Sequence, residues 1–328
     1  MPGDLYHGDN LEVMRRHVAS ESVDLIYLDP PFNSDRTYSV ISRGSQTQQT
    51  AFVDTWRWDD DAETAFGELT GATPPGVHVP PHLRELMRAL QGLLGDKADM
   101  LAYLSMMAIR LVEMRRVLRP TGSIYVHCDA SASHYLKLVL DTVFGPENFR
   151  REIIWRSGWV SGFKTRTANW IRNHDTLFYY LRDRREAFTF HKDLAYRPHP
   201  EGYERRGGGG NPRGVALDDV WDEVALYSPW IKSFSTEKLG YMTQKPLALL
   251  ERIVSVSSNP GDLVLDPFCG CGTTVEAAER LGRRWTGIDV ASLAIEIVEE
   301  RLDRQFAPRV WTKSASTIHE REKRRRAR

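Results

Sequence analysis

The apolar run Val23-Asp24-Leu25-Ile26-Tyr27-Leu28 ends without transition in Asp29-Pro30-Pro31-Phe32. A run this short and this apolar, without strict alternation, reads as a strand buried on both faces, and such strands need helices above and below them. The two prolines fix φ and remove backbone donors, so the turn is rigid and its carbonyls stay free as acceptors. An Asp-Pro-Pro string alone is commonly just a turn. Directly after an apolar strand, and paired with the loop at 266–274, it becomes a strong signal.

The flanking sequence supports that class. Asp4–Asp9 reads as a short strand ending in a Gly8-Asp9 turn, with a helix over Asn10–His17. Residues 99–118 read as a helix, with Leu101, Leu104, Met107, Leu111 and Met114 at core-facing spacing. Pro120-Thr121-Gly122 then turns into a strand at Ser123–His127, followed by a helix near 131–143 and strands at Ile153–Trp155 and Asp175–Leu181. After an aperiodic stretch the alternation resumes, with a helix at 246–257, a strand at Leu263–Asp266, a helix near 273–281, a strand at Trp285–Asp289 and a terminal helix. Strands alternating with helices mark a doubly wound, mostly parallel sheet. Residues 33–98 are poorly periodic, with Pro74-Pro75 and Pro80-Pro81 marking loops; so long an irregular stretch suggests a lid or a partner contact.

A second strand–turn junction lies late in the chain. Asp262-Leu263-Val264-Leu265-Asp266-Pro267-Phe268-Cys269-Gly270-Cys271-Gly272-Thr273-Thr274 reads as a strand, a glycine-bearing loop and a helix start. Glycines let backbone approach a ligand closely, and a helix N-terminus offers free N–H groups. The Gly-Lys-Ser/Thr of a phosphate loop is missing, and so are the three spaced glycines of a dinucleotide fingerprint. Asp289 ends the next strand, seventeen residues beyond Gly272, where an acid can take both hydroxyls of a ribose. Upstream, Thr243-Gln244-Lys245-Pro246 combines a helix start with a cation suited to a carboxylate. Cys269 and Cys271, with Cys128 the third cysteine, lack a zinc spacing and read as small residues in a tight loop, so no metal is expected.

The loop resembles the Asp-Pro-Phe-x-Gly-x-Gly-Thr loop of DNA amino-methyltransferases. With Asp29-Pro30-Pro31-Phe32 lying 234 residues before the cofactor-type loop, the whole chain resembles their β-class, in which the catalytic motif comes first, a target-recognition segment comes next, and the cofactor loop comes last. The resemblance covers the chain except most of 33–98 and 184–236. It implies a circularly permuted class I methyltransferase fold using S-adenosyl-L-methionine, with an inserted target-recognition subdomain. By resemblance, Asp266, Pro267, Phe268, Cys269, Gly270, Gly272 and Thr273 hold the cofactor's methionine end. Thr243, Gln244, Lys245 and Pro246 contact its carboxylate, Asp289 its ribose, and Asp9 lies near its adenine. Asp29 belongs to both the cofactor and the catalytic set. RNA and protein methyltransferases with a related motif usually place the cofactor loop first, which disfavours them here.

The chemistry of Asp29, Pro30, Pro31 and Phe32 fits an exocyclic amine. An aromatic amino group delocalises its lone pair into the ring. Two acceptors aimed at its hydrogens, the Asp29 carboxylate and the Pro30 carbonyl, favour pyramidal nitrogen and turn the lone pair toward the methyl. Phe32 offers a face on which a base extruded from the duplex can stack. Methylation at cytosine C5 needs a thiolate, typically after Pro, and none of the three cysteines comes directly after a proline. Family members whose motif begins with Asp usually modify adenine N6, and cytosine N4 enzymes usually begin it with Ser, so adenine is favoured over cytosine N4. A cofactor-dependent DNA-binding module without turnover is the remote alternative, opposed by the intact Asp29 and glycine loop.

Net charge is zero, with 44 basic and 44 acidic residues, yet it is unevenly spread. Residues 150–213 hold fourteen Lys and Arg against seven Asp and Glu, and 313–328 hold seven against two. Two basic patches on a neutral chain suit a localised phosphate-binding face. The organisation expected is a catalytic half at 1–155, a basic, aromatic recognition region at 156–238, a cofactor half at 239–310 and a basic tail at 311–328. Arg156, Lys164, Arg166, Arg172, Arg205, Arg206 and Arg213 are candidates for phosphate or guanine contacts. Double-stranded DNA is the expected partner, and enzymes of this class often pair as homodimers or act beside a cognate restriction nuclease. No run is apolar and long enough for a membrane span, and three cysteines suit a reducing cytoplasm.

Overall fold

The computed structural model describes residues 3–32, 36–41, 48–54, 56–71, 78–159, 168–199, 211–228, 237, 239, 241, 243–306 and 312–314, with backbone alone for 36–41, 48–54 and 312–314. In chain order these are β1 (Asp4–His7), α1 (Asn10–His17), β2 (Val23–Leu28), β3 (Arg36–Ile41), β4 (Gln48–Asp54), α2 (Asp60–Thr70), α3 (Pro81–Leu94) and α4 (Asp99–Val117). Next come β5 (Leu118–Cys128), α5 (Ser133–Phe144), β6 (Phe149–Arg156), β7 (His174–Leu181), β8 (Tyr196–Arg197), β9 (Val215–Ala216) and β10 (Val220–Trp221). The chain then runs through α6 (Leu247–Ser257), β11 (Leu263–Asp266), α7 (Thr273–Arg280), β12 (Arg284–Asp289), α8 (Ser292–Asp303) and β13 (Thr312–Ser314).

Nine strands form one sheet in the order β10-β6-β7-β5-β2-β11-β12-β1-β13. Of these, β7 alone runs against its neighbours, β5 and β6. The late strands β11 and β12 are threaded between the early strands β2 and β1, with Leu265 beside Ile26 and Gly287 beside Leu5. The permuted order therefore has a structural meaning: neither half completes its sheet without the other. Consecutive residues of β2 serve opposite layers, as a strand's period of two requires. Ile26 and Leu28 pack with α1, α4 and α5, whereas Leu25 and Tyr27 pack with α6, α7 and α8. From β2 the chain travels to β5, and from β11 it travels the other way to β12. The switch point thus lies between the ends of β2 and β11, where a doubly wound sheet opens its crevice.

Three features differ from the sequence reading. Within 33–98 there is a β3–β4 hairpin and then two helices, α2 and α3. Asp59 caps α2, its carboxylate accepting from the Ala62 N–H at 2.9 Å, and Asp60, Asp61 and Glu63 suit the positive end of the helix. Pro80-Pro81, read as a loop marker, starts α3 instead, because a proline at the first helical position forfeits no hydrogen bond. These helices explain the second difference. α4 is buried nearly all round rather than on one stripe, since α2 and α3 cover its outer side. Third, Val220–Trp221 and Thr312–Ser314, read as parts of a recognition insert and a tail, add the two outermost strands. Among the described residues no helix is long and apolar enough to cross a membrane.

Candidate active site

A cleft of about 740 Å³ opens along the carboxyl ends of β1, β2, β11 and β12. Asp9, Asp29, Pro30, Pro31, Phe32, Thr243, Gln244, Lys245, Asp266, Pro267, Phe268, Cys269, Gly270, Thr273 and Asp289 all line it. Fifteen residues singled out along the sequence thus share one surface. Pro246 and Gly272 stand just behind it. Pro246 directly precedes the first turn of α6, and Gly272 precedes α7 at φ +77°, a left-handed conformation. A Cβ on Gly272 would meet Val298 of α8 at 2.8 Å.

The β11 loop is held by its own backbone. The Phe268 N–H donates to Asp266 Oδ1 at 3.0 Å, the Gly270 N–H to Asp289 Oδ2 at 2.9 Å, and the Cys269 N–H to the Ile288 carbonyl at 3.0 Å. Behind it, the buried pair Arg301–Glu276 ties α8 to α7, and Arg301 also donates to the Cys271 carbonyl and Thr273 Oγ1, both at 3.0 Å. Burial pushes the Asp266 carboxyl up to about 7, and the charges of Asp29 and Asp289 add to that rise. Burial likewise raises the Asp289 carboxyl. At Asp266 and Asp289 burial, reinforced at Asp266 by neighbouring carboxylates, disfavours the charged form, and a cation would favour it.

Asp9 has two roles in the turn after β1. Its Oδ1 caps α1 by accepting from the Leu11 and Glu12 N–H groups, and its Oδ2 pairs with Arg110 of α4. Arg110 also donates to Asn10 Oδ1 at 2.6 Å, and Asn10 Nδ2 donates to the Pro267 carbonyl at 2.7 Å. This chain of contacts joins the turn after β1 to the loop after β11. Gln244 is similarly engaged, accepting from the Leu239 N–H at 3.0 Å and donating to the Glu237 carbonyl at 2.7 Å.

At the end of β2 one carboxylate oxygen is paired and the other is not. Lys245 pairs with Asp29 Oδ2 and lies 5.5 Å from the centre of the Phe32 ring. Asp29 Oδ1 is buried and, among the described residues, accepts no hydrogen bond. Trp56, Asp59, Asp61, Ala62 and Glu68, from the 33–98 stretch, wall one side of the cleft.

The basic candidates divide. Arg156 ends β6 at the same sheet edge, exposed, with its guanidinium 5.9 Å from the Tyr227 ring. Arg172 is turned inward onto Asp129 and Asp175, and Arg213 pairs with Asp193. Lys164, Arg166, Arg205 and Arg206 lie outside the described residues. Sequence reasoning missed Asn10, Tyr27, Arg110, His127, Asp175, Glu276 and Arg301. One signal was present: His127-Cys128-Asp129 is a polar ending on an apolar strand, the position where sheet ligands collect.

A family model described as DNA methylase matches residues 23–300. The chain belongs to this N6/N4 DNA methylase family. Among curated relatives it is 29% identical over 311 residues to the type II methyltransferase M.BamHI of Bacillus amyloliquefaciens, covering 92% of this chain and 57% of that protein. It is 30% identical over 219 residues to M.HpaI of Haemophilus parainfluenzae, covering 66% and 64%. With the DNA adenine methyltransferase YhdJ of Escherichia coli (strain K12) it shares 25% over 314 residues, covering 91% and 82%. The chain therefore spans less than two thirds of the first two relatives. Among solved structures, the M1.HpyAVI–SAM complex superposes with a TM-score of 0.50 at 19% identity, covering 92% of this chain and 98% of that one. The cytosine-N4-specific PvuII DNA methyltransferase does so at 0.50 and 15% identity, covering 94% and 88%. These two likenesses speak to the fold.

Proposed function

We propose that this chain moves the methyl group of S-adenosyl-L-methionine to the exocyclic amino group of a base flipped out of duplex DNA, and that the base is adenine, methylated at N6. The observation that carries the reading is Asp29 Oδ1, a buried carboxylate oxygen without a hydrogen-bond donor among the described residues, at the switch point of the sheet. A buried acceptor left open is costly, so its donor is expected to arrive with a ligand. An amino N–H supplies that donor.

The residues present suit the cofactor. It is cationic at sulfur and at its ammonium, and the cleft gathers Asp29, Asp266 and Asp289, with Asp29 and Asp289 both raising the Asp266 carboxyl. Lys245, which closes on Asp29 in the free chain, is the group within reach of a carboxylate. Gly270 and the start of α7 offer close backbone approach. When bound, S-adenosyl-L-methionine supplies an electrophilic methyl whose C–S bond breaks with its electron pair left on sulfur.

The chain's own part is orientation and proton acceptance. Asp29 Oδ1 and the Pro30 carbonyl take the two amino hydrogens, which frees the nitrogen lone pair to form the N–C bond. The surplus amino proton then passes to Asp29. Phe32, rigidly placed by Pro30 and Pro31, stacks the base. The exposure of Arg156, Trp159 and Trp170, next to β6 and β7, supports a DNA-contacting role for this edge. Residues 156–238 serve as the recognition region between the catalytic and cofactor halves. The choice of adenine rests on the leading Asp of the motif and on the activity in the name of YhdJ. Transfer of labelled methyl to duplex DNA is the expected result of incubating the chain with cofactor, and transfer to tRNA but not to DNA would overturn the substrate.

A further inference from the structure

The loop after β11 is tied to both layers of the fold. On one side Arg301 of α8 donates to the Cys271 carbonyl and Thr273 Oγ1. On the other, Asn10 at the start of α1 donates from Nδ2 to the Pro267 carbonyl at 2.7 Å. Asn10 is buried, and its Oδ1 accepts from Arg110 Nε of α4 at 2.6 Å. The same guanidinium donates through Nη1 to the Met106 carbonyl of its own helix at 3.1 Å, and through Nη2 to Asp9 Oδ2. Asp9 Oδ1 is engaged in turn by the first N–H groups of α1. Asp9, Asn10, Arg110 and Pro267 all line the cleft.

The atoms at its two ends leave the Asn10 amide one orientation. A guanidinium only donates, and a peptide carbonyl only accepts. A side chain between them must offer an acceptor toward α4 and a donor toward β11, and a carboxamide does both. Turned the other way, its amino group would face Arg110 and its oxygen the Pro267 carbonyl, leaving two buried mismatches. Arg110 cannot follow a turning amide without giving up Asp9 and Met106. Pro267 has no N–H, so a hydrogen bond can reach its backbone only at the carbonyl. Its chain neighbours, Asp266 and Phe268, line the cleft, and whatever moves that peptide moves them.

We propose that Asn10 is a positioning residue for the cofactor: its amide, oriented by Arg110, fixes the Pro267 carbonyl and so holds the turn that presents Asp266 and Phe268 to S-adenosyl-L-methionine. The inference rests on that cofactor and not on which base is methylated. A purely architectural bond would protect the fold as a whole. This one protects the loop and the affinity built on it.

Amide hydrogen exchange of the full chain without cofactor reads the loop itself. In Asn10→Ala, exchange at the Phe268, Cys269 and Gly270 amides should rise about tenfold, the equivalent of one hydrogen bond, while the amides of β5 and β7 keep their wild-type rates. No change at those three amides, or an equal rise in β5 and β7, overturns the proposal. Calorimetry with S-adenosyl-L-methionine reads the consequence. Its Kd should weaken about tenfold in Asn10→Ala, with KM for DNA within about twofold of wild type. Arg110→Met should cost at least about threefold less affinity in the Asn10→Ala background than in the wild-type chain, because the amide it orients is gone. Equal costs in the two backgrounds, an unchanged Kd in Asn10→Ala, or a KM for DNA raised as much as the Kd, overturn the proposal. Asn10→Asp keeps the size and the acceptor for Arg110 but cannot donate to Pro267. It should show the same two losses, and it carries the test where Asn10→Ala does not fold; wild-type exchange and affinity in Asn10→Asp overturn the proposal. A wild-type chain that binds no S-adenosyl-L-methionine would sink the cofactor reading instead, and the exchange rates would still decide whether Asn10 holds the loop.

Discussion

At the end of β11 the backbone closes on itself. Phe268, Gly270 and Cys269 direct their N–H groups onto Asp266, Asp289 and the end of β12, and Arg301 braces the loop from behind. At the end of β2, one strand away, two prolines stiffen the turn and remove backbone donors. Among the described residues Asp29 Oδ1 has no donor, and Oδ2 is met by Lys245, a residue reached 216 positions later. The backbone of the first junction is tied down before any ligand arrives, although its carboxyls are raised by burial. The second is stiff, with one carboxylate oxygen paired to Lys245 and the other without a donor among the described residues, and on the reading proposed above a substrate supplies that donor. Binding and chemistry are therefore expected to fail separately when the two junctions are damaged separately.

The sharpest way to break that separation is Asp29→Ala. Methyl transfer should fall by about a thousandfold or more, the scale of losing a general base or a key polar contact in a transition state. The cofactor's Kd, by calorimetry, should stay within about tenfold, the loss of one ordinary contact. Full activity in this variant would remove the catalytic turn from the mechanism. Lys245→Met probes the contact between the junctions. Loss of a charge-assisted bond to the cofactor carboxylate should weaken its binding by about ten- to a hundredfold. An unchanged Kd would assign Lys245 to the β2 side alone. Gly272→Ala tests the prebuilt loop directly. It forces a side chain into φ +77° and onto Val298, and should cost about 1–3 kcal/mol in denaturant unfolding. A cost near zero would mean that the loop yields.

The smallest effect is a pH dependence. The Asp266 carboxyl sits at about 7 in the free chain. A cationic cofactor favours the carboxylate, so the bound state holds fewer protons and its carboxyl titrates lower. Affinity is then complete above pH 7 and falls as pH drops through that value. From about pH 8 to about pH 6 the loss should approach about tenfold, the limit set by one proton over about one pH unit below the free value. Calorimetry in buffers of different ionisation heat should show proton release near neutral pH. Uptake instead of release would mean that the bound cofactor favours the protonated carboxyl.

Much of this frame was legible along the chain. β2 and β11 announce themselves as apolar runs stopped by Pro or Gly, and fifteen of the residues marked there line one cleft. The partners were not legible. Asn10 meets Pro267 and His127 meets Asp175 only because β11 is threaded between β2 and β1, and because β7 runs antiparallel beside β5. No spacing rule carries such pairings. α3 was hidden for another reason, since the prolines at its start look like a loop marker until its packing on α4 is seen. The charge sum over 150–213 was also a partial guide. It counts Arg172 and Arg213 as available cations, although each is already paired with a carboxylate.

The most direct test of the central claim is mass spectrometry of nucleosides from duplex DNA incubated with this chain and S-adenosyl-L-methionine. N6-methyladenine is the result expected, and its yield should vanish with Asp29→Ala. N4-methylcytosine would keep the amino chemistry and change the base. 5-Methylcytosine, or no methylated nucleoside from a correctly folded preparation, would contradict the account.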